Sequence, residues 1–259
     1  MTERRQEMQI SEKQLLSMTR DLDELHEQSM PGVRSSMVDL GERLASVTRI
    51  GANRRTFLIG SAAVVGTATL AACGSSSSGG KTSAQPSTSG SDYTGDLKVV
   101  ALATALENLA VAAYGMALTA AGKGTYGTVP PAVAQFITTA RKQHMDHAAA
   151  WNGVLAQAGK PRITGTPLTI TQGAVDALNK AKSVPEVATI ALNLENTAAQ
   201  TYVFATANVQ DMGGIATAAT IAPVEAMHAA ILSFVLGKYP VPANDIGTDK
   251  ALPPSALTA

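Results

Sequence analysis

Residues 106–114 read LENLAVAAY, and residues 194–202 read LENTAAQTY. Both stretches carry Leu-Glu-Asn, an alanine three residues after the glutamate and a tyrosine seven after it; Glu107 and Glu195 stand 88 residues apart. A second pair follows: HMDHAA at 144–149 and EAMHAA at 225–230, with an offset of 81. Self-similarity at a fixed offset marks a duplicated supersecondary unit. Each unit is a helix with a glutamate followed by a helix with x-x-x-His-Ala-Ala, so two helical hairpins and four long helices are predicted.

Periodicity supports that outline. Val133, Ile137, Ala140, His144, His147, Trp151 and Val154 step by three and four, as do Ile221, Glu225, His228, Leu232 and Val235. Ala103, Glu107, Ala110 and Tyr114 share one helical face, and so do Ala191, Glu195, Ala198 and Tyr202. The motif glutamates and histidines therefore lie within the apolar stripes. Residues facing each other across a hairpin are equally far from its turn. The midpoint between Glu107 and the 144/147 pair falls at Tyr126, inside GKGTYGTVPP; that between Glu195 and the 225/228 pair falls near Asp211, beside Gly213-Gly214. Both midpoints land on turn chemistry, so four helices can hold six side chains at one level.

The link between the hairpins, from Gly159 to about Pro185, contains Pro161, Gly165 and Pro167 and then a short predicted helix from Gln172 to Lys182. Its length suits one crossover along a bundle. After Gly237 the Pro-rich stretch to Ala259 is expected to be an irregular tail laid on the bundle. Aromatic residues are scarce and no sustained period-2 alternation appears, so the fold class is all-α. The 20 basic and 20 acidic residues cancel and imply no nucleic-acid partner. A single cysteine, Cys73, excludes a disulfide within the chain.

After Cys73 there are four glutamates and three histidines. Six of these seven are Glu107, His144, His147, Glu195, Glu225 and His228, the repeat positions; Glu186, beside Pro185, suits the first turn of its helix. The pattern resembles the ferritin-like di-metal carboxylate family, which takes a Glu from each of two helices and a Glu-x-x-His from each of the other two. The resemblance covers residues 93–240 and implies a ferritin-like four-helix bundle of two duplicated hairpins with one long crossover. It makes Glu107 and Glu195 the lone glutamates and Glu225 with His228 an intact Glu-x-x-His. His144 stands where a bridging glutamate is expected, and only His147 matches in that half. Asp146 cannot substitute, because two positions along a helix turn it about 200° away. Tyr114 and Tyr202 are either donors to the glutamates or ordinary core tyrosines. Asn108 and Asn196 either orient those glutamates or face solvent.

Oxygen and imidazole ligands suit iron, manganese or zinc, with one or two ions per chain open. The resemblance implies a metal-binding protein, with a di-iron or di-manganese oxidoreductase acting on iron, peroxide or oxygen as one reading. The other is a non-catalytic cell-envelope metal-binding or interaction module with a decayed or metal-free Glu–His site. A shared fold does not choose between them.

Residues 53–73 read NRRTFLIGSAAVVGTATLAAC. The apolar run from Phe57 to Ala72 is shorter than the about 20 residues that span a bilayer. The stretch resembles a twin-arginine (Tat) signal, with Arg54 and Arg55, joined to a lipobox ending at Cys73. That resemblance implies passage through the Tat translocon in folded form. It also implies acylation of Cys73 and a lipid anchor on the outer face of the bacterial cytoplasmic membrane. Residues 74–92 are Ser/Gly-rich and read as a flexible tether. Residues 1–52 are either a cytoplasmic extension or lie before a later true start. Leu15, Met18, Leu22 and Leu25 predict one amphipathic helix there, broken at Pro31-Gly32, with His26 solvated upon it. The expected domains are therefore 1–52, 53–73, 74–92, 93–240 and 241–259.

Overall fold

The duplicated hairpins form as their turn chemistry dictates. The computed structural model describes residues 11–60, 92–241 and 245–259, with the backbone alone for 47–60. Six α-helices run in the order α1 (Glu12–Gly60), α2 (Asp96–Gly122), α3 (Pro131–Gln157), α4 (Thr171–Lys180), α5 (Val184–Asn208) and α6 (Met212–Val235). Among the described residues the only β pairing is an isolated antiparallel bridge between Leu168 and Leu257. Pro131 opens α3 at a position where its missing N–H costs nothing. Asp211 caps α6, accepting from the amides of Gly213 and Gly214 at 2.8 and 3.3 Å. At the start of α5, Ser183 accepts from Glu186 N while the Glu186 carboxylate accepts from Lys182 N at 2.7 Å, a reciprocal cap.

α2 packs antiparallel on α3, and α5 on α6, with α2 against α5 joining the hairpins. The predicted crossover is present and contains α4. It is pinned by side-chain amides: Asn108 donates to the carbonyls of Ile163 and Gly165, both at 2.9 Å, and Asn152 pairs with both backbone groups of Ile163 at 2.8 Å. Asn108 thus ties the crossover to α2. The tail closes over the crossover, with Thr169 N donating to Ala256 O at 2.9 Å and Leu252, Ala256 and Leu257 buried. α2 and α6 are long and apolar enough to cross a bilayer, but both are core helices here, with most of those apolar windows buried.

The N-terminal segment departs from the sequence expectation. α1 is not broken at Pro31; it runs through that residue and lies along α3 and α6, which touch each other only slightly. A proline in a helix interior costs about 3 kcal/mol. Burial of Met30, Val33, Met37 and Leu40 on either side contributes roughly 1.5–3 kcal/mol per side chain, so packing wins over propensity. Arg43 of α1 forks onto the Asp211 carboxylate at 2.7 and 2.9 Å, which ties this part of the helix to the α5–α6 turn. Gly41 passes the end of α3 closely, and a Cβ on it would crowd the Gln157 Cβ at 2.9 Å. His26, expected in solvent, is buried at 2 % exposure. Arg54 and Arg55 lie in the last turns of α1, and Cys73 lies outside the described residues.

Candidate metal centre

All six repeat residues meet in the centre of the bundle, and none is more than 2 % exposed. α2 brings Glu107, α3 brings His144 and His147, α5 brings Glu195, and α6 brings Glu225 and His228. They form two overlapping groups whose ligand atoms lie within 4.8 Å of one another: Glu107, His144, His147 and Glu225; and His144, Glu195, Glu225 and His228. Glu225 and His144 belong to both.

Glu225 spans the two groups with separate oxygens. Its Oε1 is 3.3 Å from His147 Nδ1, and its Oε2 is 3.5 Å from His228 Nδ1. His144 spans them with separate nitrogens: Nδ1 is 2.7 Å from Glu107 Oε2 and Nε2 is 3.2 Å from Glu195 Oε1. An imidazole bonded to carboxylates through both nitrogens donates through both, which is the imidazolium form. The residue in the expected bridging position therefore links the half-sites as a cation.

The tyrosines are donors, and they cross between repeats. Tyr114 of the first repeat donates to Glu195 of the second, and Tyr202 of the second donates to Glu107 of the first. Trp151 Nε1 donates to the Tyr202 hydroxyl at 2.9 Å and so holds the donor that faces Glu107. Gln143 is a functional neighbour that the motifs did not reveal. It is fully buried, and its Oε1 accepts from His228 Nε2 at 2.9 Å, which turns His228 Nδ1 toward the carboxylates. The signal was its place at three and four residues from Ala140 and His147, on the apolar stripe of α3.

The charges are strongly coupled. Burial alone would lift the Glu107 carboxyl, but His147 and His144 beside it bring it down to about 2. Burial opposes a charge on His147, yet Glu107 and Glu225 hold its pKa up at about 9. His144 is raised well above the usual imidazole range and His228 is raised too, in both cases because the carboxylates outweigh burial. Glu195 is driven well below the usual carboxylate range, with His144 and His228 overcoming burial. Burial, joined by the adjacent glutamates, pushes both tyrosines well above their ordinary value, so they stay neutral donors.

His26 belongs to this neighbourhood although it comes from α1. Its ring centroid is 5.1 Å from that of His147, and burial, then the charge on His147, lowers its pKa to about 4.

Five buried atoms of the cluster have no hydrogen-bond partner: His147 Nδ1, His228 Nδ1, Glu195 Oε2 and both oxygens of Glu225. Their contacts at 3.3–3.5 Å are ion-pair approaches without hydrogen-bond geometry. Buried polar groups are almost always satisfied. Oxygen and imidazole atoms left open and converging on one another are what a divalent cation would complete. The donor set therefore fits a metal ion, whose identity it does not fix.

A helical bundle with carboxylate and imidazole ligands facing inward from four helices is the architecture of di-metal carboxylate proteins. The chain belongs to the ferritin-like domain family, whose model matches residues 95–238. No curated protein and no solved structure matches it.

Proposed function

We propose that this chain is an exported, lipid-anchored metalloprotein whose bundle binds one or two divalent ions in the Glu–His cluster. The observation that carries the metal reading is the set of five unsatisfied ligand atoms at the convergence of four helices. Glu107 and His147 would hold one ion, Glu195 and His228 the other, and Glu225 would lie between them. Bound iron or manganese would supply redox chemistry toward oxygen, peroxide or iron. The protein's own contribution is orientation and dryness. Tyr114 and Tyr202 fix the lone glutamates, Gln143 fixes the His228 ring, and the surrounding apolar residues exclude water. The anchor reading is supported by Arg54, Arg55, the short apolar run and Cys73.

One observation favours a second reading. Three imidazoles and three carboxylates can neutralise one another, so the cluster can exist as a proton-filled ionic core. In that case the bundle is a metal-free interaction module. Elemental analysis separates the two: protein matured in the cytoplasm and supplied separately with iron, manganese and zinc should retain at least one of them. Protein that stays metal-free in all three, with an unchanged melting temperature, sinks the metalloprotein reading.

A further inference from the structure

His26 is not explained by the duplicated bundle. It is contributed by α1, outside both repeats, and neither of its ring nitrogens has a hydrogen-bond partner. Leaving buried polar atoms unsatisfied costs about 1–3 kcal/mol, and an apolar residue in the same stripe would avoid that cost. The side chain stands between two others. Inward is the ring of His147, 5.1 Å away and tilted by 55°. Outward is Asp146, whose Oδ2 is 3.5 Å from His26 Nε2 and whose side chain is 29 % exposed.

The six ligands are sealed, so an ion has to reach them through protein. The other openings suit a cation poorly. A cavity of about 760 Å³ beside α2 and α4 is lined by Lys123, Arg141 and Lys182 and by no carboxylate. One opening that ends on Tyr114 is walled by valine, alanine, leucine, isoleucine and Tyr126, and a narrower one reaches Tyr114 and Glu195 between alanine, leucine and valine side chains, with no donor outward of Glu195. Asp146, His26 and His147 instead form a succession of oxygen and nitrogen donors from the surface to the site. At its outer end Arg34 and Lys142 pair with Asp146 at 3.2 and 3.9 Å, and Lys142 also reaches Asp23 and Glu27. Both cations are more than half exposed, so they can swing away at little cost.

We propose that His26 and Asp146 are a transit pair that passes a divalent cation between the α1–α3 seam and His147. This rests on the cluster being a metal site. Two rates separate transit from positioning. A group that only lowers the barrier speeds uptake and release alike and leaves affinity unchanged, whereas a residue that shapes His147 changes affinity.

The test uses the full uncleaved chain, stripped with EDTA. Uptake of Co²⁺ is followed by stopped-flow absorbance, and release by excess chelator. His26→Phe should slow both on the order of tenfold, with the final stoichiometry and dissociation constant unchanged. Asp146→Asn, at a partly exposed position, should slow both as well and keeps the test decisive if His26→Phe does not fold. Arg34→Ala, which uncovers Asp146, should quicken both. Wild-type rates in His26→Phe and Asp146→Asn, or a changed dissociation constant at an unchanged uptake rate, would overturn the transit pair and leave the metal site standing. A wild-type chain that takes up no Co²⁺ would overturn both.

Discussion

Replacing Glu225 by glutamine keeps the volume of the side chain and removes its charge. Glu225 has no solvent exposure, and its oxygens lie 3.3, 3.5 and 3.7 Å from the nearest nitrogens of His147, His228 and His144. In metal-free protein the change leaves three imidazoles facing two carboxylates. Breaking a buried pair by removing one partner costs about 3–5 kcal/mol. One imidazole can shed its proton in response, so the lower end of that range is expected. A domain of this size loses about 2–4 °C per kcal/mol, so about 3 kcal/mol places the fall in melting temperature at roughly 6–12 °C. With metal the loss compounds, because Glu225 belongs to both ligand groups. Wild-type protein at a free metal concentration of about 100 times its dissociation constant gains about 2.7 kcal/mol, and the variant should lose most of that gain. Calorimetry with EDTA and with excess Mn²⁺, paired with elemental analysis, measures both effects. A Glu225→Gln protein that melts within 2 °C of wild type in EDTA and carries the same metal would refute the shared-bridge argument, taking ~2 °C as the shift of under 1 kcal/mol.

Four further outcomes follow from the same geometry. The His147 pKa rises on folding from 6.5 to about 9, so its contribution to metal-free stability is full below 6.5 and fades as pH climbs through about 9. Glu107 contributes above 4.5 and loses its contribution as pH falls toward about 2; urea unfolding in EDTA should thus show a plateau between 4.5 and 6.5, while metal affinity rises with pH. His144→Glu should lower metal-free stability by about 3–5 kcal/mol yet raise bound metal toward two ions per chain, an opposition of sign that denaturation and elemental analysis together detect. Tyr202→Phe strands both Glu107 Oε1 and Trp151 Nε1, whereas Tyr114→Phe leaves Glu195 Oε1 its contact with His144 Nε2 at 3.2 Å, so the first should cost more, at about 1–3 kcal/mol per stranded group in urea titrations. Cys73→Ala should leave unprocessed precursor, and Arg54→Lys with Arg55→Lys should block export; normal fractionation of the double variant to the envelope would defeat the Tat assignment.

The hairpins and the six candidate ligands were legible because side chains that share one site must face each other, and that constraint writes itself into spacing. Offsets of 88 and 81 and two midpoints on breaker residues mark the level of the cluster and the 123–130 and 209–211 turns in the sequence itself. What stayed hidden was set by partners far away in the chain. Pro31 reads as a helix break because local propensity has no knowledge of the α3–α6 groove that receives Met30, Val33 and Met37. Read through Pro31, the stripe Leu15, Leu22, His26, Met30, Val33, Met37, Leu40 keeps steps of seven, four and three, and His26 falls inside it. Gln143 belongs to no motif, and the repeated Leu-Glu-Asn gave Asn108 no link to the crossover; one is defined by a histidine on another helix and the other by carbonyls of the crossover.

The seat of α1 has a further consequence, one of mass action. The helix lies upstream of Cys73, so scission of the chain before that cysteine would sever it from the bundle it covers. In one chain, the covalent connection between Gly60 and Asp96 holds α1 near its groove at an effective concentration set by the reach of that connection. Once cut, the same contacts face dilution at cellular protein levels, and the helix leaves unless its affinity exceeds that dilution. Proteolysis would then act as an irreversible switch on His26, Arg43 and the α3–α6 face, driven by loss of tethering.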